Sequence, residues 1–140
     1  MTVLGADFGL RRIGLAFSDP EKRIAFPGPV VTGSEDECLA AVVEEARVRG
    51  ASEIVVGLPV HMDGGESEMS SRAAAFAAAL RRAAAVPVVT WDERLTSAQA
   101  ERAMISGDLS RRKRKRRIDS LAAQLMLQAY LDSRQRRSGK

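Results

Sequence analysis

Cysteine is nearly absent from this chain of 140 residues, Cys38 being the only one. No intrachain disulfide can form, no cysteine-rich zinc site can be assembled, and nothing calls for an oxidising compartment. Histidine is as scarce, with His61 alone in a Gly- and Pro-containing loop; a surface or substrate-edge role is expected for it rather than metal ligation. Aromatic residues make up 4% of the chain, too few for the base-stacking platform that single-strand binders use. No apolar run is long enough to cross a bilayer, and Asp7 interrupts the N-terminal stretch where a signal peptide would stay apolar. A cytoplasmic protein with no membrane partner is expected.

What is present is an ordinary globular composition, 45% hydrophobic and 29% charged, and a length that suits one core. Residues 1–140 are expected to form a single domain. The net charge is +4 and the pI about 9.8, modest support for a polyanionic partner; the distribution says more. Seven consecutive basic residues, Arg111, Arg112, Lys113, Arg114, Lys115, Arg116 and Arg117, precede Ile118-Asp119, and Arg134, Arg136, Arg137 and Lys140 follow. Without these eleven cations, the remaining eleven would face 18 acids. A basic loop over 108–118 and a mobile tail over 133–140 are expected.

The first third reads as three strands, Val3 to Phe8, Ile13 to Ser18 and Ile24 to Val31, an antiparallel meander broken by turn residues. Ser34 and Glu37 have capping-box spacing, and Leu39, Val42, Val43, Ala46 and Val48 supply an approximate helical face up to Gly50. Glu53 to Gly57 has the character of a buried parallel strand. The alanine-rich stretch Ser71 to Ala85 predicts a helix with Phe76 and Leu80 on one face. A strand over Val86 to Trp91 follows, then a helix opened by Thr96 and Gln99 that ends near Gly107. A final helix is expected from about Asp119 to Arg134, with Leu121, Leu125, Leu127, Tyr130 and Leu131 on its buried side. The expected class is α/β: three antiparallel strands, then parallel β-α units, in a five-stranded mixed sheet flanked by helices.

Three carboxylates stand where chemistry could be done. Asp7 lies in an otherwise apolar strand, where an ionised group needs a cation or donors nearby; backbone N–H groups of the Gly9 to Arg12 turn would serve as well. Glu93 follows the last strand, in the crevice where open sheets bind ligands, although charge near a helix N-terminus or a pair with Arg94 would also explain it. Alternation places Asp92 and Glu93 on opposite faces, which favours one of them, Glu93, with Asp92 as the fallback. Asp119 begins the expected final helix, where capping is the ordinary explanation. Together they form a set of hard oxygen donors suited to Mg²⁺ or Mn²⁺. A pair of such ions can drive phosphodiester hydrolysis without a histidine base. Arg11 and Arg12 in the first turn, Arg94, and the run Arg111 to Arg117 are the candidate phosphate contacts.

The motifs taken in order, Ala6-Asp7-Phe8-Gly9 with Ile13-Gly14, Val56-Gly57-Leu58-Pro59 with Met62-Asp63-Gly64, Asp92-Glu93-Arg94-Leu95-Thr96-Ser97, and Arg117-Ile118-Asp119-Ser120 with Ala122-Ala123, resemble the YqgF (RuvX) family. These are pre-16S ribosomal RNA nucleases related to the RuvC Holliday-junction resolvases, and the similarity runs from about residue 3 to residue 132. One departure is His61, where an amide or basic residue is expected. The resemblance implies an RNase H-like fold, assigns the catalytic and metal-binding acids to Asp7, Glu93 and Asp119, and implies maturation of the pre-16S rRNA 5′ end in the cytoplasm. A DNA junction resolvase acting on structured DNA is the nearest alternative. A non-catalytic, ribosome-associated RNA-binding module is the alternative of a different class. Helical faces outside the core leave room for a homodimer, but no residue pattern specifies one.

Overall fold

A computed structural model describes residues 2–9, 12–58, 68–92 and 111–137; for residues 68–69, 111–119 and 135–137 it describes the backbone alone. The strands are β1 (Thr2–Phe8), β2 (Arg12–Ser18), β3 (Ala25–Thr32), β4 (Ala51–Leu58) and β5 (Val88–Asp92). The helices are α1 (Glu35–Arg49), α2 (Glu68–Ala83) and α3 (Arg111–Arg137). The helix expected between Thr96 and Gly107 lies outside the described residues.

The five strands form one sheet in the order β3-β2-β1-β4-β5. β1 pairs antiparallel with β2, β2 antiparallel with β3, and β4 lies parallel to both β1 and β5. The expected mixed sheet is therefore the observed one, with the meander leading and the β-α units following.

Local chemistry explains α1 at both ends. The Ser34 side chain accepts from Glu37 N at 3.1 Å, and the Glu37 carboxylate accepts from Ser34 N at 2.9 Å. That second bond holds the Glu37 pKa below its ordinary value. Gly50 ends the helix in the left-handed region at φ 66°, a conformation that costs a residue with a β-carbon. One member of the expected apolar face is displaced: Val48 is 64% exposed, while Cys38, Val42 and Ala46 are buried. Residue 48 falls two positions past Ala46, about 200° round the helix.

Each face of the sheet has its own core. Leu4, Ala6, Phe8, Ile13, Leu15, Ile54 and Val56 pack with Cys38 and Val42 of α1 and Phe76 and Leu80 of α2. The opposite face, with Val3, Ala16 and Val55, packs under Ala123, Met126, Leu127 and Leu131 of α3. Strand alternation sorts the residues: β1 sends Leu4, Ala6 and Phe8 one way, and Val3, Gly5 and Asp7 the other.

α3 differs from expectation in three respects. It begins at Arg111, so residues 111–118 form about its first two turns rather than a loop. Arginine and lysine are good helix formers, and here their propensity outweighs the repulsion of seven like charges. It also continues through Arg137, so that 133–137 are helical rather than a loose tail. Finally, its buried stripe is Ala123, Met126, Leu127 and Leu131, whereas Leu121 and Leu125 are only partly buried.

α3 can lie close to the sheet because β1 carries a glycine beneath it. A β-carbon at Gly5 would stand 3.2 Å from Leu127 Cβ and 3.4 Å from Met126 Cε. Gly5→Val is expected to push α3 outward and to destabilise the fold by about 1–3 kcal/mol, the usual range for overpacking. A lowered urea midpoint at unchanged m-value measures it; an unchanged midpoint would show that the close approach is not limiting.

Candidate metal centre

Asp7 is half-buried near the C-terminal end of β1. Its register partners are Gly14 on β2 and Gly57 on β4, and Gly57 in turn pairs with Trp91 on β5. The row across the sheet is thus Gly14, Asp7, Gly57, Trp91, on the face covered by α3. Glycines flank the carboxylate on both sides, so its register partners set no side chain beside it.

Arg12 opens β2 on this same face, two residues before Gly14, and is half-buried. The backbones of Gly9 and Arg12 approach closely where β1 leads into β2. A β-carbon on Gly9 would lie 2.5 Å from the Arg12 carbonyl oxygen, a backbone atom that cannot rotate away.

The position of residue 119 follows from the backbone of α3. Asp119, Ala123 and Leu127 recur every four residues and so share one stripe; Ala123 and Leu127 are fully buried. Leu127 sits over Gly5. Ser120 reaches Gly28, Gln124 reaches Ala25 and Gln128 reaches Arg23, so α3 runs antiparallel to β3 and therefore to β1. Going back from Leu127 to residue 119 advances about 12 Å, and going from Gly5 to Asp7 about 7 Å in the same direction. Position 119 therefore lies at the end of the sheet where Asp7 stands.

Asp119 is the ninth residue of α3. Neither capping nor the helix dipole accounts for an acid there, since both act within the first turn. The ordinary explanation that sequence suggested for Asp119 is thereby removed.

Asp92 ends β5 opposite Leu58, which packs in the α1/α2 core. It falls on the sheet face away from Asp7, whereas Val89 and Trp91 pack on the α3 side. Glu93, Arg94, Arg11 and His61 lie outside the described residues, as do the side chains of Asp119 and of Arg111 to Arg117. Among the described residues no group of three His, Cys, Asp or Glu side chains is gathered for a metal ion.

Reading the sequence passed over two polar clusters on the α3 face. Glu53, only 9% exposed, accepts from Tyr130 Oη at 2.8 Å and pairs with Arg134. Burial first, then the Glu53 carboxylate, pushes the Tyr130 hydroxyl pKa above its usual value. Trp91 packs edge-on to Tyr130, with ring centroids 5.6 Å apart. The other cluster is Ser120, Gln124 and Gln128, whose spacing of four was the available signal.

The fold has the form of the RuvC resolvases. Thermus thermophilus RuvC, solved in complex with a Holliday junction substrate, superposes with a TM-score of 0.61 over 96% of each chain at 20% identity. Sequence relatives narrow the group. A candidate pre-16S rRNA nuclease from Pelotomaculum thermopropionicum is 41% identical over 97% of this chain and 90% of its own. One from Caldanaerobacter subterraneus subsp. tengcongensis is 44% identical over 95% and 97%. The family model RuvX, described as Holliday junction resolvase, matches residues 1–133. The chain belongs to the RuvX family. Among the described residues, no helix is long and apolar enough to cross a membrane.

Gly9→Ala is expected to displace the β1–β2 turn and with it the Asp7 end of β1, costing about 1–3 kcal/mol and most of the activity. Gly50→Ala, where no atom lies within 4 Å of the added carbon, should cost about 1 kcal/mol through backbone strain alone and leave activity intact. Equal activity loss in the two variants would show that the turn has no special role.

Proposed function

We propose that this chain is a divalent-metal-dependent nuclease that hydrolyses phosphodiester bonds in structured RNA, with 5′-end processing of pre-16S rRNA in the cytoplasm as its task. The observation that carries the reading is the Asp7 row. A carboxylate flanked by two glycines stands on the face and at the sheet end toward which position 119 of α3 advances. The names of the relatives supply the substrate class.

Asp7, Asp119 and Glu93 would hold Mg²⁺ or Mn²⁺, and the all-oxygen donor set suits those hard ions. Asp92 is the weaker choice beside Glu93, because its register position faces the other core. Held there, such ions would supply activation of the attacking water and stabilisation of the leaving oxygen. Arg12, on the same face as Asp7, holds a phosphate of the strand being cut. The run Arg111 to Arg117 draws in the polyanion without reading its sequence. Successive helical positions step about 100°, so the run encircles α3 and only part of it meets one strand of nucleic acid. Arg11 and Arg94 belong with these contacts.

Asp7→Asn and Asp119→Asn are each expected to lower cleavage of a precursor rRNA 5′ segment by at least about 100-fold, since two metal ligands act as a unit. EDTA should abolish it and Mn²⁺ restore it. Wild-type activity in both variants sinks the site. Tight RNA binding with no turnover under any metal instead favours a binding module. The likeness to a junction-bound RuvC supports a second reading, cleavage of structured DNA. Competition between a four-way DNA junction and the rRNA segment at one fixed salt concentration separates the two. Replacing Lys113 and Arg116 by Ala should flatten the slope of log K against log salt by roughly one for each phosphate no longer neutralised; an unchanged slope would remove the run from the interface.

A further inference from the structure

We infer that Ser120, Gln124 and Gln128 are positioning residues that index α3 against the edge strand β3 and thereby set the height of Asp119 relative to Asp7. The inference rests on the metal-centre reading for its functional consequence, though not for its geometry.

β3 is an outer strand of the sheet, and among the described residues no further strand pairs with its backbone on the side away from β2. Side chains of α3 take that role. Gln128 Oε1 accepts from Ala25 N at 2.9 Å, and Gln128 Nε2 donates to Arg23 O at 2.8 Å. Gln124 Nε2 donates to Ala25 O at 3.1 Å, and Ser120 Oγ donates to Gly28 O at 3.1 Å. Both backbone groups of Ala25 are thus satisfied by glutamines, while Pro27 and Pro29 have no N–H to satisfy.

The spacing of the ladder matches the strand. From Gln128 to Ser120 the helix rises about 12 Å, and from the Arg23–Ala25 level to Gly28 the strand spans about 13 Å.

Apolar packing alone leaves this height weakly determined. The α3 stripe repeats about every turn with Ala123, Leu127 and Leu131, over a strand that offers Gly5 as a flat spot. Burial is non-directional, so sliding α3 by one turn, about 5.4 Å, retains much of the buried area. The same slide breaks all four hydrogen bonds and would leave backbone groups of β3 unpaired. Asp119 immediately precedes Ser120 in the helix. A shift of that size would carry it out of range of any ion that Asp7 also holds.

The test is the double variant Gln124→Met/Gln128→Met in the full chain. Methionine keeps side-chain volume and helix propensity while removing the donors and acceptors. Three quantities are read: Mn²⁺ affinity by calorimetry, hydrogen exchange of the Ala25 amide against that of Val55, and NMR contacts from Gly5 to methyl groups of α3. Expected are a Mn²⁺ affinity lowered at least tenfold, as for other groups that orient metal ligands, and Ala25 exchange accelerated more than tenfold with Val55 unchanged. Gly5 contacts should spread from Leu127 and Met126 to Leu131 or to Ala123. A variant with Ala25 exposed, Gly5 contacts still confined to Leu127 and Met126 and Mn²⁺ affinity unchanged would overturn the inference, leaving the glutamines as an edge seal. Should the wild-type chain bind no Mn²⁺, the metal reading fails on its own, and the Gly5 contacts still decide the register. If the double variant does not fold, Gln124→Met alone, which removes only the bond to Ala25 O, is read by the same contacts.

Discussion

The approach of α3 to β1 at Gly5 sets the geometry on which the candidate site depends. With Leu127 seated over a residue that has no side chain, the helix lies low enough for Val3, Val55 and Ala16 to be closed over by Ala123, Met126 and Leu131. With Leu127 over Gly5, position 119 lies over the end of the sheet where Asp7 stands. A bulkier residue at position 5 would raise the whole helix, because an interior packed at crystal-like density has no slack to absorb it.

The two faces of the sheet are built for different purposes. The α1/α2 face is a continuous apolar core of aliphatic residues, alanine, phenylalanine and Cys38, which accounts for most of the burial and carries little chemistry. The α3 face admits polar groups and satisfies most of them by name: Ser18 Oγ accepts from Val3 N at 2.8 Å and donates to Asp19 O, and Glu53 is held by Tyr130 and Arg134. Trp91 Nε1, on the same face, is buried with no hydrogen-bond partner among the described residues. Polar groups in a low-dielectric setting are costly when unpaired, and their concentration on one face fits a sheet with a stable side and a working side.

Much of the architecture was legible because it rests on local rules. The Ser34–Glu37 box and Gly50 bounded α1 within a residue, and the three leading strands were read as the antiparallel meander they form. The onset of α3 was not legible, since seven adjacent cations suggest a repelled, solvated loop as readily as a helix. Its correct placement changed the meaning of Asp119, from an acid at a helix start, where capping would also explain it, to one about two turns inside a helix. Val48 failed for a similar reason: apolar identity alone does not say which side of a helix faces the sheet. The glutamines of α3 escaped notice because their partners are backbone atoms about 100 residues away, and no local pattern announces which strand will lie at the sheet's edge.

By itself the sequence determined the order of strands and helices, where α1 starts and stops, and which acid stands in an apolar strand, because periodicity and capping act over a few residues. Only the tertiary structure decided that β4 lies beside β1, so that Gly14 and Gly57 flank Asp7 and Asp92 falls on the far side of the sheet. It alone decided the height of α3 along β1. The reason is physical: hydrophobic burial is indifferent to direction, and the groups that fix pairing and register are backbone donors and acceptors whose partners are chosen only when distant segments meet.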